Sequence, residues 1–165
     1  MTRTDPAIRF AAGTLVVLVG AAASGKSTLA ARYPLSWRVC LDAYREAATD
    51  DMADQSATPT AAQIQALILD ARLSRGLTTV VDSTAVHAHY RAGLLARARY
   101  WNRPAHAVLF DVPLTVCEAR NTARPRTVPR DILRDQHRRL PTADQLRTEG
   151  FDAVHLTDAS TTDTH

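Results

Sequence analysis

The chain has 165 residues, of which 45% are hydrophobic and 22% charged, with a formal net charge of +3. This length allows one domain with a buried core, and the composition excludes a disordered chain. The sequence has neither an apolar run long enough to cross a bilayer nor a signal-peptide core, so we expect a cytoplasmic protein without membrane contact. Cys40 and Cys117 lack metal-ligand spacing and are expected in the core.

The first predicted element is an apolar strand over residues 14–19, preceded by a lead-in of residues 1–12 that we expect to be flexible. The next segment, GAAASGKS at residues 20–27, fits the phosphate-loop pattern G-x-x-x-x-G-K-[ST] between a strand and a helix. In such a loop the backbone N–H groups and the lysine bind phosphates, and the serine hydroxyl can ligate Mg²⁺. We therefore expect a nucleotide site formed by Gly20, Ala23, Ser24, Gly25, Lys26, Ser27 and Thr28.

A second candidate site follows the next strand. The pattern predicts a helix over residues 25–33, ended by Pro34, and a short strand over 37–41. The motif D-A-Y-R at residues 42–45 then places Asp42 at the carboxyl edge of the sheet, with an arginine one helical turn later. Such a carboxylate can accept the proton of an attacking hydroxyl, while the arginine holds an anionic group of the acceptor. A helix-capping aspartate beside a surface arginine is the alternative.

The polar segment over residues 46–58 interrupts the pattern, and we expect it to be mobile or to face a substrate. Thr58 is then the predicted N-cap of a long helix, with Pro59 at the first helical position and Gly76 at its end. The helical spacing predicts a buried stripe of Ile64, Leu67, Ile68 and Ala71.

The remaining predicted elements alternate between strands and helices. They are strands over residues 77–81, 105–110 and 153–156, and helices over 87–100, 114–123 and 131–140. In the helix over 87–100 we expect Tyr90, Leu94 and Leu95 to point inward and the arginines outward. This alternation indicates an α/β fold with a parallel sheet covered by helices on both faces.

The segment between Arg120 and Arg139 contains seven arginines and only two acidic residues. Such a concentration of positive charge suits a polyanion, either a nucleotide or a nucleic-acid backbone. A solvated helix face with incidental charge is the alternative.

Four segments resemble, in the same order and at similar spacing, the 5′-OH polynucleotide kinase domain of bacterial polynucleotide kinase-phosphatase. They are VCLDAYR, DDMADQS, RLSRGLTTVVDSTAV and AVLFDVPLTVCEARNTARPRTV. The resemblance implies an α/β P-loop kinase with a five-stranded parallel sheet in the order 2-3-1-4-5. It places this domain at residues 13–158, with an arginine-rich lid at about 121–130 and a disordered tail at 159–165.

The resemblance also implies how the phosphate donor is bound. By it, Lys26 and Ser27 hold the phosphates and Mg²⁺. Arg120 and Arg124 reach in from the lid to neutralise the transferred phosphoryl group, and Arg126 shares that role.

On the acceptor side, the resemblance makes Asp42 the general base for the 5′-hydroxyl and Arg45 the residue that grips the phosphate on the 3′ side of the terminal nucleoside. Asp54 and Gln55 match the D-Q pair in the acceptor-side segment of that family, and Val128 offers an apolar surface to the terminal base. Asp82, at the end of a strand like a Walker-B carboxylate, orders the Mg²⁺ shell or fixes the phosphate loop. Capping of the helix at residue 87 is its alternative role.

The function implied is transfer of the γ-phosphate of ATP, or of another NTP, to 5′-OH ends of DNA or RNA in end repair. Mg²⁺, or Mn²⁺ in its place, is the implied metal. No phosphatase or ligase module follows in the sequence, so we expect separate repair enzymes as partners. Two alternatives stay open: a P-loop kinase for a sugar, nucleoside or antibiotic, and a nucleotide-dependent binding module without catalysis.

Overall fold

Five strands form one sheet in the computed structural model, which describes residues 8–157. They are β1 (Leu15–Val19), β2 (Arg38–Val39), β3 (Thr79–Val81), β4 (Ala105–Phe110) and β5 (Ala153–Thr157). The spatial order is β2-β3-β1-β4-β5 and every pairing is parallel, which confirms the predicted sheet. The carboxyl ends of all five strands therefore lie at one edge.

Seven α-helices connect and cover these strands in the described part of the chain. They are α1 (Lys26–Ala30), α2 (Leu41–Thr49), α3 (Thr58–Ser74), α4 (Ala88–Tyr100), α5 (Leu114–Thr122), α6 (Arg130–Arg138) and α7 (Ala143–Glu149). Buried residues of α3, α4 and α7 pack on one face of the sheet, and those of α1, α5 and α6 on the other. Helix α7 was not predicted from the sequence.

The central strand β1 is completely buried along its length. It pairs with β3 on one side, from Leu15 to Val17, and with β4 on the other, from Leu15 to Val19. A strand buried on both faces reads as a continuous apolar run, which is why its position was predictable.

The edge strand β2 is shorter than the predicted strand over residues 37–41. It pairs with β3 alone, and the chain enters α2 immediately afterwards at Leu41. Cys40 sits at that turn as the N-cap residue of α2 and is half-buried, so its expected core position is wrong, whereas Cys117 is buried as predicted.

The polar segment over residues 46–58 is not one irregular loop. Helix α2 continues to Thr49, and a 3₁₀ turn over Gln55–Ala57 precedes α3. Ala57, rather than the predicted Thr58, occupies the N-cap position of α3. The segment is folded because short polar residues support turns through local hydrogen bonds.

The buried face of α3 differs from the predicted stripe. Leu67 is 72% exposed, while the buried positions follow a spacing of four residues: Ala61, Gln65, Leu69 and Leu73. Apolar residues occur on all sides of this helix, so several stripes satisfy the helical period. Contact with the sheet and with α4 selects one of them.

Arg91 of α4 is buried, although its arginines were expected to point outward. Its Nε and Nη2 donate to the carboxylate of Glu149 at 2.7 and 2.5 Å, and its Nη1 donates to the carbonyl oxygen of Ala85 at 2.7 Å. A buried charge is tolerated when it is paired and hydrogen-bonded, and Glu149 of α7 supplies that partner. Helix α4 is thereby joined to α7 and to the loop after β3.

The lead-in contacts the sheet where it is described. Tyr33 donates its hydroxyl to the carbonyl oxygen of Ile8 at 2.8 Å, and Phe10 packs edge-on against His106 and His155. The predicted tail over residues 159–165 lies outside the described residues. Within the described residues, none of the helices combines the length and apolar character needed to cross a bilayer.

Candidate active site

The phosphate loop joins β1 to α1 at the carboxyl edge of the sheet. A Cβ atom on Gly20 would lie 2.6 Å from Ser24 Oγ and 2.9 Å from Phe110 Cβ, so only glycine fits there. Gly25 has a φ of 103°, in the left-handed region that favours glycine. The N–H of Gly20 donates to the carbonyl oxygen of Thr84 at 3.0 Å, which ties this loop to the segment after β3.

Lys26 is buried at the base of the loop, at 7% exposure. Its Nζ donates to the carbonyl oxygen of Ala21 at 2.6 Å and to Ser24 Oγ at 3.4 Å. The amine is therefore held inside the loop that the sequence motif predicted to bind phosphate. The predicted ligands Ser27 and Thr28 follow it in α1 and are exposed.

Burial lowers the pKa of Lys26 from 10.5 to about 8. The charges of Asp82, Cys117 and Asp42 raise the pKa of Lys26, and that of Arg124 lowers it. Asp42 follows β2 and Asp82 follows β3, so both carboxylates lie at the carboxyl edge of the sheet, where the phosphate loop also lies.

Asp82 contacts the phosphate-loop serine. Ser27 Oγ donates to Asp82 Oδ2 at 3.0 Å. Burial raises the pKa of Asp82, while the Ser27 hydrogen bond and the charge of Lys26 oppose that rise. The alternative role predicted for Asp82 is to cap helix α4. Among the described contacts the Asp82 carboxylate accepts from Ser27. The N-cap residue of α4 is His87, which makes no side-chain capping bond.

Asp42 and Arg45 form an ion pair in the first turns of α2. Arg45 is buried; its Nη2 donates to Asp42 Oδ1, and its Nε donates to the carbonyl oxygen of Met52 at 2.9 Å. The Asp42 side chain is 53% exposed. The carboxylate thus reaches solvent while a buried arginine fixes its orientation.

The segment predicted to be a lid is bounded by two hydrogen bonds between Asn121 and Val128. Asn121 Nδ2 donates to the carbonyl oxygen of Val128 at 2.8 Å, and the N–H of Val128 donates to Asn121 Oδ1 at 2.9 Å. Arg124 and Arg126 are exposed in the loop closed in this way. Val128 is half-buried and packs against the core, so only part of its side chain is exposed, and its predicted contact with a base stays a prediction.

Arg120 lies in the last turn of α5 and is half-buried. Burial raises the pKa of Cys117, and the charges of Lys26 and Arg120 lower it. Cys117 is buried in the same apolar cluster as Ala21 and Ala22 of the phosphate loop, and Arg120 follows it by about one turn of α5.

Gln55 is exposed in the 3₁₀ turn before α3. Asp54 caps that turn by accepting from the N–H of Ser56 at 2.9 Å and from its hydroxyl at 2.6 Å. This segment lies just beyond Met52, whose carbonyl oxygen Arg45 holds. Its acceptor-side role stays a prediction.

Gln136 of α6 contacts the phosphate loop directly and was not predicted from the sequence. The N–H of Ala22 donates to Gln136 Oε1 of α6 at 2.9 Å. No motif marks Gln136, because its partner lies 114 residues away in the chain.

A profile of the family AAA_33, described as an AAA domain, matches residues 15–142. Among solved structures, a candidate kinase from Chloroflexus aurantiacus is 14% identical with a TM-score of 0.65, over 90% of this chain and 89% of that one. A chain of the Pnkp1/Rnl/Hen1 RNA repair complex is 22% identical with a TM-score of 0.65, over 84% of this chain and 46% of that one. A gluconokinase from Sinorhizobium meliloti is 19% identical with a TM-score of 0.56, over 93% of this chain and 85% of that one.

At these identities the structural likeness shows a shared P-loop kinase fold. The present chain spans less than half of the matched chain in the RNA repair complex. A search of curated proteins gave no match.

Proposed function

Because this chain belongs to the AAA_33 family of AAA domains, we propose that it is a kinase. We propose that it transfers the γ-phosphate of ATP, or of another NTP, to the 5′-hydroxyl end of DNA or RNA. The observation that carries this proposal is the hydrogen bond from Ser27 Oγ to Asp82 Oδ2 beside the buried amine of Lys26, with Asp42 following β2 at the same edge of the sheet. A base, a metal-side carboxylate and a lid cation around one phosphate loop are the parts that phosphoryl transfer needs.

The donor side is formed by Lys26, Ser27 and Asp82. The Ser27 hydroxyl and the Asp82 carboxylate, 3.0 Å apart, are hard oxygen donors of the kind that fit Mg²⁺. Mg²⁺ usually takes its other ligands from water and phosphate, which agrees with the lack of a cluster of three His, Cys, Asp or Glu ligands among the described residues. When bound, the ion supplies charge neutralisation at the β- and γ-phosphate oxygens.

On the acceptor side, Asp42 is the general base, and Arg45 both orients it and grips the phosphate on the 3′ side of the terminal nucleoside. The 5′-hydroxyl oxygen forms a bond to the γ-phosphorus, the bond from that phosphorus to the β–γ bridging oxygen breaks, and the hydroxyl proton passes to the Asp42 carboxylate. The half-exposed carboxylate is accessible to a bulky acceptor, and its ion pair with Arg45 holds it in one orientation.

The lid arginines Arg120, Arg124 and Arg126 neutralise the charge on the phosphoryl group in transit. The exposure of Arg124 and Arg126, in the loop that the bonds between Asn121 and Val128 close, supports this role. An arginine in such a position accounts for several orders of magnitude in turnover in related phosphoryl transfers.

A polynucleotide acceptor is supported by charge and by sequence resemblance. The exposed Arg124 and Arg126 place positive charge on the proposed lid, and Arg130 and Arg134 of α6, which share the single carboxylate of Glu118, add net positive charge beside it. The structure named for Pnkp1 also contains Rnl and Hen1 in an RNA repair complex. By analogy, we propose a ligase or phosphatase of end repair as a partner of this chain.

A small-molecule hydroxyl is the second candidate acceptor. Arg45 is buried and bonded to Asp42 and Met52, so part of its hydrogen-bonding capacity is used within the chain instead of for an acceptor phosphate. The matched gluconokinase and a sugar kinase from Janibacter sp. HTCC2649, 23% identical with a TM-score of 0.60 over 88% of this chain and 84% of that one, share the fold.

Transfer from ATP labelled at the γ-phosphate separates these candidates. The acceptors are a DNA and an RNA oligonucleotide with 5′-hydroxyl ends, the same strands with 5′-phosphates, a nucleoside with and without a 3′-phosphate, and gluconate. We expect label on the 5′-hydroxyl strands and on the 3′-phosphorylated nucleoside, and none on the blocked strands. Label on gluconate or the free nucleoside alone would contradict the proposal.

A further inference from the structure

One face of α6 is directed at the phosphate loop. Leu133, Gln136 and His137 are spaced i, i+3 and i+4, which places them on one side of the helix. Leu133 is fully buried in the same apolar cluster as Ala21 and Ala22 of the loop. Helix α6 therefore packs directly on the element that the proposed function assigns to phosphate binding.

Two neighbouring side chains of this face make polar contacts with the carboxyl edge of the sheet. Gln136 Oε1 accepts from the N–H of Ala22 at 2.9 Å. His137 Nε2 lies 3.0 Å from the carbonyl oxygen of Val112, in the loop after β4. Helix α6 is thus held at two successive positions, one on the phosphate loop and one on the adjoining loop.

The lid is attached to the same helix. Glu118 Oε1 of α5 accepts from Arg130 Nε at 3.1 Å and from Arg134 Nε at 2.8 Å, so it fixes the start of α6. The bonds between Asn121 and Val128 close the lid loop just before α6 begins. A displacement of α6 would therefore move the lid relative to the phosphate loop.

We propose that Gln136 is a positioning residue that couples the lid arginines to the phosphate loop. This inference rests on the proposed function, in which those arginines act on the outer phosphate. An amide side chain suits the role because it accepts the Ala22 N–H without placing a negative charge beside a triphosphate. A glutamate at this position would keep the hydrogen bond and add that charge.

The test compares Gln136→Met, which keeps the length of the side chain but removes its acceptor, with wild type. Gln63→Met is the matched control, because Gln63 is an exposed glutamine of α3. Binding of fluorescent ATP and ADP analogues is measured on the full chain, together with the melting temperature. For Gln136→Met we expect ATP affinity to fall about tenfold and ADP affinity to change less than about twofold, because the lid acts on the phosphate that ADP lacks.

Two further variants distinguish positioning from a purely structural role. When Arg124→Ala is already present, we expect Gln136→Met to lower ATP affinity by less than about twofold. The reason is that the effects of two coupled residues are not additive, so the second substitution removes little that the first has left. Gln136→Glu is expected to retain the melting temperature and to weaken ATP more than ADP.

Equal losses for ATP and ADP, or an undiminished effect in the Arg124→Ala background, would overturn the inference. A chain that binds the ATP analogue but phosphorylates no 5′-hydroxyl end disproves the proposed function, while the affinities still decide the role of Gln136. A wild-type chain that binds no ATP analogue would overturn both.

Discussion

The proposed chemistry depends on a few side chains whose environments are unlike those of ordinary surface residues. Lys26 is a buried amine and Arg45 is a buried guanidinium. Asp42 is a carboxylate at the surface, held there by its ion pair with Arg45. Each lies beside a group of opposite charge or a carbonyl oxygen, so position and charge state are set together.

Asp42→Asn tests the general base. The amide keeps the shape of the side chain and cannot take the hydroxyl proton, so we expect transfer to fall at least about a hundredfold. Binding of ATP, which does not need the base, is expected to stay within about threefold of wild type. Asp144→Asn is the control, since Asp144 is an exposed acid of α7. Transfer that survives Asp42→Asn would show that another group accepts the proton.

The lowered pKa of Lys26 predicts how nucleotide affinity depends on pH. The free amine loses its proton above about pH 8. A bound triphosphate favours the charged form and raises that pKa, so ATP affinity is expected to fall above about pH 8 by up to about tenfold per pH unit, and to be independent of this group below it. Titration of a fluorescent ATP analogue between pH 7 and 9.5 measures this. Lys26→Met, which binds weakly, is expected to show no such decline, and a flat wild-type profile would refute the prediction.

At the scale of elements, local patterns predicted the strands and the phosphate loop, but not every helix. The bounds of β4 agree with the predicted strand over 105–110, because buried parallel strands are continuous apolar runs. Helix α7 was missed although Thr142 and Gln145 form a capping box, a local signal that identifies its start.

Long-range side-chain contacts had no such local signal. Arg91 and Glu149 are 58 residues apart, and Gln136 is 114 residues from Ala22. An arginine or glutamine on a helix looks alike in the sequence whether it is exposed or buried against a partner. These contacts follow from how the helices pack, which one sequence does not specify.

The pair of Arg91 and Glu149 predicts a stability difference within α4. Arg91→Met removes the hydrogen-bond donor of both Glu149 and the Ala85 carbonyl oxygen. We therefore expect this change to lower the free energy of unfolding by about 2–4 kcal/mol. Arg97→Met on the same helix breaks the more exposed pair with Asp70 and is expected to cost less than about 1 kcal/mol. Chemical denaturation measures the free energy of unfolding of both variants. Equal decreases would show that the buried pair stabilises the fold no more than the exposed pair does.

At the scale of the whole molecule, the positive charge of the lid and α6 predicts a dependence on salt. A strand that contacts several phosphate-binding arginines displaces counterions, so its KM is expected to rise steeply with salt concentration. The KM of a 3′-phosphorylated nucleoside, which has few phosphates, is expected to change much less. Steady-state transfer at about 50 and 200 mM salt compares them, and equal salt dependence would argue against strand contacts along α6.

The central place of β1 in the sheet has a consequence for biosynthesis. The strand leaves the ribosome before its neighbours β3 and β4, which begin at Thr79 and Ala105, and Phe110 at the end of β4 closes the space behind Gly20. A nascent chain that has not yet exposed β4 lacks one wall of the loop. Nucleotide can therefore assist folding only after β4 has left the ribosome.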